Sequence, residues 1–128
     1  MTLQVETDAT IDVIDVTDQV VGTLPDIERG VCTVFVKHTP AAVSINEAEP
    51  RLLDDIEGFL SSLVPDEGHS HDELDGNADS HLRTTLLGPS ETIPVVDGTL
   101  DTGTWQSVLL VECDGPRTRT VSVTVVGE

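Results

Sequence analysis

Apolar and polar residues alternate along several short segments of the chain, as they do in β-strands that bury one face. Near the N-terminus the alternation predicts strands over residues 2–7 and 11–16. The β-branched run VCTVFVK predicts a central strand over residues 31–37, and a shorter strand follows over residues 42–45. Three further strands are predicted towards the C-terminus, over residues 91–96, 104–112 and 118–126.

Helical spacing of apolar residues is strongest in the middle of the chain. From Pro50, a residue type favoured in the first helical turn, large apolar residues recur at three- and four-residue intervals up to Pro65. Thr17 is predicted to cap a short helix before this segment, and Asn77 to cap a third helix that runs through Leu87.

The order of these elements is ββαββααβββ, which predicts an α+β fold with two or three helices packed on one face of a mixed β-sheet. The polar residues 66–76 are predicted to form an exposed loop between the last two helices. A chain of 128 residues can bury one core, and no repeat or low-complexity linker divides it, so residues 1–128 are predicted to form a single domain.

Acidic residues dominate the charge and are dispersed along the chain. Twenty-four Asp and Glu against six Lys and Arg give a formal net charge of -18. Such an excess repels itself at low ionic strength, whereas in molar salt the Debye length falls to about 3 Å and the repulsion is screened. The composition therefore predicts a protein from a salt-loving organism. It argues against nucleic-acid and anionic-membrane partners, because no basic patch is available to bind phosphates.

Neither a membrane span nor a signal peptide is predicted. No apolar run approaches the roughly 20 residues of a transmembrane helix, and the N-terminal MTLQVETDAT lacks the basic and apolar segments of a signal peptide. Cys32 and Cys113 lie in strand-like apolar runs, where buried free thiols are a simpler interpretation than a disulfide. These features predict a cytoplasmic protein.

A first cluster of candidate site residues follows the predicted central strand. His38 comes directly after VFVK, and Ser44 to Glu47 lie a few residues further on. An imidazole, hydroxyls, an amide and a carboxylate thus flank one short segment and make a candidate polar pocket. A histidine with a purely structural role explains His38 equally well.

A second cluster, HSHDELDGNADSH, covers residues 69–81. Asn77 and His81 are four residues apart and share one helical face, while His69 and His71 lie among carboxylates and could bind a metal. The spacing matches no strong zinc signature. For His69, an acidic loop that happens to contain histidines is the simpler explanation.

A third cluster is the segment GTWQSVLLVE. On a strand, Gln106 and Glu112 share a face with Val108 and Leu110, and Trp105 lies on the other face. Burial of Glu112 among these apolar residues would be costly unless it is paired or protonated, which makes it a candidate site residue. A carboxylate that emerges into solvent at the end of the strand is an equally good interpretation.

The sequence contains no motif for a nucleophile elbow, a phosphate-binding loop or a dinucleotide site. The three clusters therefore predict one polar pocket without a defined reaction. Its candidate residues are His38, Asn46, Glu47, His81, Trp105, Gln106 and Glu112.

In this order the three clusters resemble the YjbQ-like family, also labelled secondary thiamine-phosphate synthases. The matching segments are HTPAAxSINE at residues 38–47, DGNADSH at 75–81, LLG at 86–88, IPVxDGxL at 93–100 and GTWQ at 103–106, followed by Glu112 and the closing RTRTVSVTV. The resemblance covers nearly the whole chain. It implies a small α+β domain assembled as a homotrimer, with polar pockets near the subunit contacts.

The resemblance also implies roles for single residues. Catalytic roles are implied for His38, Glu47, His81 and Glu112, and substrate binding for Thr39, Asn46, Asn77, Trp105 and Gln106. His38, His71 and His81 are implied as ligands of one divalent metal, zinc or magnesium. Alternatively, His71 is only a residue of the loop and does not bind the metal. Pro40 departs from the family, which commonly has serine there, so a hydroxyl and a backbone N–H donor are missing beside His38.

The implied activity couples a pyrimidine-methyl diphosphate to a thiazole phosphate and releases diphosphate. Stabilisation of that leaving group needs positive charge, either from a bound divalent metal or from basic side chains. The basic candidates are Lys37, Arg83, Arg117 and Arg119. Trp105 is expected to stack on the pyrimidine ring. The alternative is an accessory protein that binds a metal or a small metabolite and has synthase activity only as a side reaction.

Overall fold

The computed structural model describes residues 1–128, which fold into eight β-strands, three α-helices and one 3₁₀ helix. The strands are β1 (Thr2–Glu6), β2 (Asp12–Asp15), β3 (Arg29–Val36), β4 (Ala41–Asn46), β5 (Ser90–Val96), β6 (Thr99–Leu100), β7 (Ser107–Glu112) and β8 (Thr118–Gly127). The helices are α1 (Thr17–Val21), α2 (Pro50–Leu63) and α3 (Ala78–Leu87), and the 3₁₀ helix is Ser70–Glu73. Every predicted strand and helix is present, with ends shifted by at most a few residues, and the α+β class is confirmed.

The strands form two antiparallel sheets rather than one mixed sheet. The large sheet has the order β1-β8-β3-β5-β6 and the small sheet the order β2-β7-β4. Every neighbouring pair is antiparallel. The prediction of a mixed sheet is wrong because the helical segment between β4 and β5 joins the small sheet to the large one. A parallel pair would need a connection that returns to the same sheet.

Strand β7 lies at the centre of the molecule, because both of its faces are buried. Val108 and Leu110 belong to the core between the two sheets, together with Val34 of β3. Leu109 belongs to a second core on the opposite face, together with Leu60 of α2. The molecule therefore has three layers, which are the large sheet, the small sheet, and helices α2 and α3.

Two helices rather than three cover one face of the small sheet, which is the lower of the two predicted numbers. Val20 of α1 is fully buried in the core between the sheets, so only α2 and α3 cover the outer face of the small sheet. Thr17 does not cap this helix. Its hydroxyl donates to the carboxylate of Asp15 (2.6 Å) and accepts from the backbone N–H of Val108 (2.8 Å), which ties α1 to the start of β7.

Residues 66–76, predicted to be an exposed loop, contain the 3₁₀ helix. The side chain of Asp72 accepts from the backbone N–H of His69 (3.0 Å), and a ring nitrogen of His69 lies 2.8 Å from the carbonyl oxygen of Pro65. His69 therefore holds the local backbone together, and it also lines the cavity that contains His71.

Arg83 joins α2 to α3 and is 1% exposed. Its guanidinium donates to the backbone carbonyl oxygens of Leu60, Ser61 and Val64, at 2.5, 3.1 and 2.9 Å. The last carbonyls of a helix have no partner inside it, so a buried cation at this end both satisfies them and opposes the negative end of the helix dipole. Asp79 of α3 accepts from the same guanidinium and balances its charge.

Both cysteines are buried free thiols, as the sequence predicts. Burial raises the pKa of the Cys113 thiol to about 11 and also raises the pKa of Cys32. Because a thiolate is the reactive form, neither cysteine is prepared to act as a nucleophile. The chemistry of the site therefore depends on other side chains.

Candidate functional site

A groove with a volume of about 730 Å³ runs between the end of β3 and helix α3. Its lining includes Lys37, His38, Thr39, His81 and Thr85, with Phe35 and Pro89 as apolar walls. We call it the histidine groove. No aspartate or glutamate lines it, although the chain carries 24 of them. A groove free of carboxylates in so acidic a chain is suited to an anionic ligand.

His38 is held in place by the backbone of β8. Its Nε2 accepts the backbone N–H of Thr120 (3.0 Å), so the proton of the neutral ring is assigned to Nδ1. Burial lowers the pKa of His38, the positive charge of Arg119 lowers it further, and the negative charge of Glu112 partly offsets both. The ring therefore presents a neutral N–H donor.

A buried ion pair joins β7 to β8 close to His38. Glu112 is 0% exposed and accepts from Nε (2.7 Å) and Nη2 (2.6 Å) of Arg119. The hydroxyl of Thr7 (2.9 Å) and the backbone N–H of Asp114 (3.1 Å) fill its remaining acceptor positions. Burial alone raises the pKa of Glu112, but these hydrogen bonds outweigh it and hold the pKa below its ordinary value. Glu112 is therefore paired and ionised, does not line the histidine groove, and positions the strand that holds His38.

His81 of α3 borders two cavities. It lines the histidine groove and also a neighbouring cavity of about 560 Å³ that contains His71. The rings of His71 and His81 meet edge to face, with centroids 5.1 Å apart. Nε2 of His71 is buried without a hydrogen-bond partner, as are Oδ1 of Asp72 and Oδ1 of Asn77. Unpartnered buried atoms of this kind call for a ligand, an ion or ordered water.

The three histidines predicted to bind a metal, His38, His71 and His81, do not meet at one point in the structure. No three side chains among His, Cys, Asp and Glu are arranged to hold a metal ion, and Nε2 of His38 is already engaged by Thr120. Only His71 and His81 stand together. Two imidazoles fit part of a zinc site, and metal binding stays a prediction.

The other candidate residues are divided between the two ends of the small sheet. In the register of β4 and β7, Ala41 pairs with Glu112 at one end and Asn46 pairs with Ser107 at the other. Five steps of extended strand, about 17 Å, separate these ends. His38 lies at the Glu112 end, so the prediction of a single pocket is wrong within one chain.

The second end, which we call the acidic end, is built around a cavity of about 310 Å³ lined by Glu47, Glu49 and Trp105. Trp105 is 73% exposed. The side-chain oxygens of Asn46 and Gln106 each accept from a nearby backbone N–H at 2.8 Å, so both amides shape the local loops. The carboxylate of Glu47 makes no hydrogen bond or ion pair within the chain.

The whole length of the chain matches a known protein family. A family model described as UPF0047 protein YjbQ-like covers residues 1–128. The chain belongs to the YjbQ-like UPF0047 family. Its relatives include a UPF0047 protein of Methanothermobacter thermautotrophicus, 46% identical over 98% of this chain and 90% of the relative. Another is a UPF0047 protein of Archaeoglobus fulgidus, 48% identical over 96% of this chain and 98% of the relative.

Solved structures share the fold of this YjbQ-like chain. A hypothetical protein of Aeropyrum pernix K1 superimposes with a TM-score of 0.97 at 45% identity, covering 100% of this chain and 98% of that one. A YbjQ-like protein of unknown function from Sulfolobus solfataricus P2 gives a TM-score of 0.96 at 38% identity, covering 100% and 96%. The family resemblance of the sequence is thus confirmed. None of the helices has the length and apolar character of a membrane span.

Two of the basic residues predicted to stabilise a leaving group are engaged elsewhere in this YjbQ-like protein. Arg83 is buried at the end of α2, and Arg119 is bound by Glu112. Arg117 is exposed and does not line the groove. Lys37 lines the groove and makes no side-chain hydrogen bond or ion pair, so it is the cation available to a ligand there.

Sequence reasoning missed Thr85 and Phe35 as groove residues. Thr85 lies one helical turn after His81, and its hydroxyl donates to the carbonyl oxygen of His81 (2.7 Å). This four-residue spacing on a predicted helix is the signal that could have found it. Phe35 alternates with buried residues along β3, which predicts its outward position but not the groove beside it.

Proposed function

We propose that this YjbQ-like protein is an enzyme that binds a phosphorylated small metabolite in the histidine groove and has thiamine-phosphate synthase-like activity. The absence of carboxylates from the groove of a chain with a net charge of -18 is the observation that supports this most. Lys37 and the Nδ1–H of His38 are both available there to donate to phosphate oxygens. His81 adds a third polar group from the facing helix.

In the proposed reaction, the ring nitrogen of the thiazole phosphate forms a bond to the methylene carbon of the pyrimidine. The carbon–oxygen bond to diphosphate breaks, and its electron pair leaves with the diphosphate. Negative charge therefore develops on the leaving group, and donors positioned in advance around it lower the barrier. Lys37 and His38 take this role in the proposal. His81 supplies a proton in the reaction without a metal and is a metal ligand when one is bound.

A divalent metal, zinc or magnesium, is part of the proposal. His71 and His81 would hold it together with oxygens of the substrate, because Nε2 of His71 makes no hydrogen bond, lies 3.9 Å from a carboxylate oxygen of Asp75 and belongs to the ring that meets His81. The metal would supply further positive charge to the leaving group.

Turnover of the two thiamine precursors tests the proposed activity. The protein in molar potassium chloride is expected to form thiamine phosphate and release diphosphate, and to do so faster with Zn²⁺ or Mg²⁺ present. Lys37→Gln and His81→Ala are each expected to lower kcat by about 100-fold, as loss of a donor to a developing negative charge does. Ser62→Ala, on the exposed surface of α2, is the control and is expected to keep full activity.

Absence of thiamine phosphate with both precursors and both metals would contradict the synthase activity. Calorimetric titration with diphosphate then separates the remaining alternatives. Binding that is lost in Lys37→Gln but not in Ser62→Ala favours an accessory protein that binds a phosphorylated metabolite in the same groove.

Assembly as a homotrimer is also proposed. Several large apolar side chains are exposed on this highly charged chain, which favours their burial against other copies. Light scattering in molar salt is expected to report about three times the chain mass of 13.7 kDa. A clean monomer at micromolar concentration would contradict this assembly.

A further inference from the structure

Two adjoining cavities share one side chain. His81 lies in the wall of the histidine groove and in the wall of the neighbouring cavity of about 560 Å³. We call this neighbour the His71 cavity, and the rest of its lining is Gly68, His69, Ser70, His71, Ala78 and Leu82. A ligand that is longer than either cavity can therefore reach from one into the other past a single imidazole.

The two cavities differ in charge. Lys37 lines the histidine groove, whereas no lysine or arginine lines the His71 cavity. Carboxylates stand beside the His71 cavity instead: an oxygen of Asp75 lies 3.9 Å from Nε2 of His71, and Asp72 accepts the backbone N–H of His69. These carboxylates repel a phosphate. The groove therefore suits the anionic part of a ligand, and the His71 cavity suits an uncharged part.

The surface of the His71 cavity suits a flat nitrogen heterocycle. Ala78 and Leu82, which is 44% exposed, offer apolar contact. The rings of His71 and His81 meet edge to face with centroids 5.1 Å apart, and aromatic rings favour edge-to-face or offset contacts with one another. The exposed hydroxyl of Ser70 can donate to a ring nitrogen or accept from an amino group. Apolar, aromatic and hydrogen-bonding contacts are thus all available to such a ring.

We propose that the two cavities form one bipartite site, in which the histidine groove binds a diphosphate and the His71 cavity binds the heteroaromatic ring that one methylene joins to it. The inference rests on the proposed function, whose pyrimidine-methyl diphosphate has this form. The methylene–oxygen bond that breaks in the proposed reaction then lies beside His81. There the ring nitrogen of the thiazole phosphate supplies the electron pair of the new carbon–nitrogen bond, and the carbon–oxygen pair leaves with diphosphate.

Two probes, inorganic diphosphate and the pyrimidine-methyl diphosphate, separate the contributions of the two cavities. Their affinities for the full chain are measured by calorimetric titration in molar potassium chloride with EDTA, so that no divalent metal contributes. The ester is expected to bind about 10-fold or more tightly than diphosphate, because burial of an aromatic ring contributes at least this factor. Equal affinities of the wild type for the two probes overturn the inference.

Leu82→Ala removes apolar contact from the His71 cavity alone. It is expected to reduce the preference for the ester by about 5-fold or more and to leave the affinity for diphosphate unchanged. Leu86→Ala is the matched control, because Leu86 is exposed one helical turn further along α3 and lines neither cavity. It is expected to keep the full preference. A full preference in Leu82→Ala, shown by circular dichroism to be folded, overturns the inference.

Lys37→Gln is the complementary variant, since it changes only the histidine groove. It is expected to weaken the binding of both probes by the same factor and to keep the preference for the ester. A loss of that preference in this variant overturns the division of the ligand between the cavities.

Failure of this inference and failure of the proposed activity have different signatures. Thiamine phosphate formed by a wild type that binds the two probes equally overturns the placement of the ring and leaves the activity standing. A preference for the ester that Leu82→Ala reduces, without any formation of thiamine phosphate, overturns the activity and leaves the bipartite site standing.

Discussion

Glu112 is a carboxylate with no access to solvent, and Arg119 is the cation that compensates it. Removal of one partner from a buried pair leaves the other charge uncompensated. Glu112→Gln is therefore expected to lower the free energy of unfolding by about 3–5 kcal/mol, measured by urea denaturation in molar salt.

A double variant separates the charge from the packing at this pair. Replacing both partners by apolar residues, as in Glu112→Leu with Arg119→Met, leaves no charge behind. It is expected to destabilise the protein less than Glu112→Gln alone. The opposite order of the two free energies would contradict the view that the uncompensated arginine is the main cost.

The protonation of His38 is linked to folding. Burial and Arg119 lower the pKa of His38 in the folded protein, whereas in the unfolded chain it titrates near its ordinary value of about 6.5. Between these two pKa values only the unfolded chain holds the proton. The contribution of His38 to stability is therefore complete above about pH 6.5 and is lost as the pH falls through the folded pKa.

An NMR titration of the imidazole protons checks this linkage. We expect His38 to titrate below its ordinary pKa, and His38→Gln to weaken the loss of stability on mild acidification. A titration midpoint at or above the ordinary value would contradict the assignment of a neutral ring that accepts the Thr120 N–H.

At the scale of single residues, the sequence indicated that Glu112 is a candidate site residue but not that Arg119 is its partner. Alternation along β7 allows Glu112 to lie on a buried face, where a carboxylate must be paired or protonated. The structure shows that Glu112 is buried and paired, which excludes the alternative of a carboxylate in solvent. Arg119 belongs to β8 in the other sheet. Its position opposite Glu112 depends on how the two sheets stack, and no local pattern carries that information.

At the scale of elements, Arg83 holds the C-terminal end of α2. A lysine ammonium lacks the planar fork of donors that reaches several carbonyl oxygens at once. Arg83→Lys is therefore expected to lower the free energy of unfolding by about 2 kcal/mol or more, because buried carbonyls lose their partners.

Arg51→Lys is the matched control for this prediction, since Arg51 pairs with Glu49 at the other end of the same helix. Its side chain is 91% exposed, and an exposed ion pair contributes little to stability because solvent screens it. Equal losses of stability in the two variants, measured by thermal melts, would contradict the capping role of Arg83.

The elements were predictable because apolar periodicity is local, whereas their arrangement was not. His38 and Glu47 are close in sequence, but the extended strand β4 between them carries them to opposite ends of the small sheet. The predicted start of the strand at residue 104 is wrong because Gly103 and Gln106 form a turn, closed by a backbone hydrogen bond of 3.1 Å. A turn of this kind without proline gives only a weak sequence signal.

At the scale of the whole molecule, net charge sets the response to salt. Repulsion among the carboxylates is long-ranged in dilute buffer and screened in molar potassium chloride. The melting temperature is therefore expected to rise continuously between these conditions. A melting temperature that stays constant over this range would show that charge repulsion does not limit stability.

The carboxylate-free histidine groove also has a kinetic consequence. An anionic metabolite must first cross the repulsive field of a chain with a net charge of -18. That field extends about 30 Å at an ionic strength of 0.01 M but only about 3 Å at 1 M. The association rate of such a metabolite should therefore increase as salt is added, the reverse of the slowing seen where a protein attracts its ligand from a distance. The metabolite would then associate with the protein fastest at the high salt concentration at which the fold is most stable.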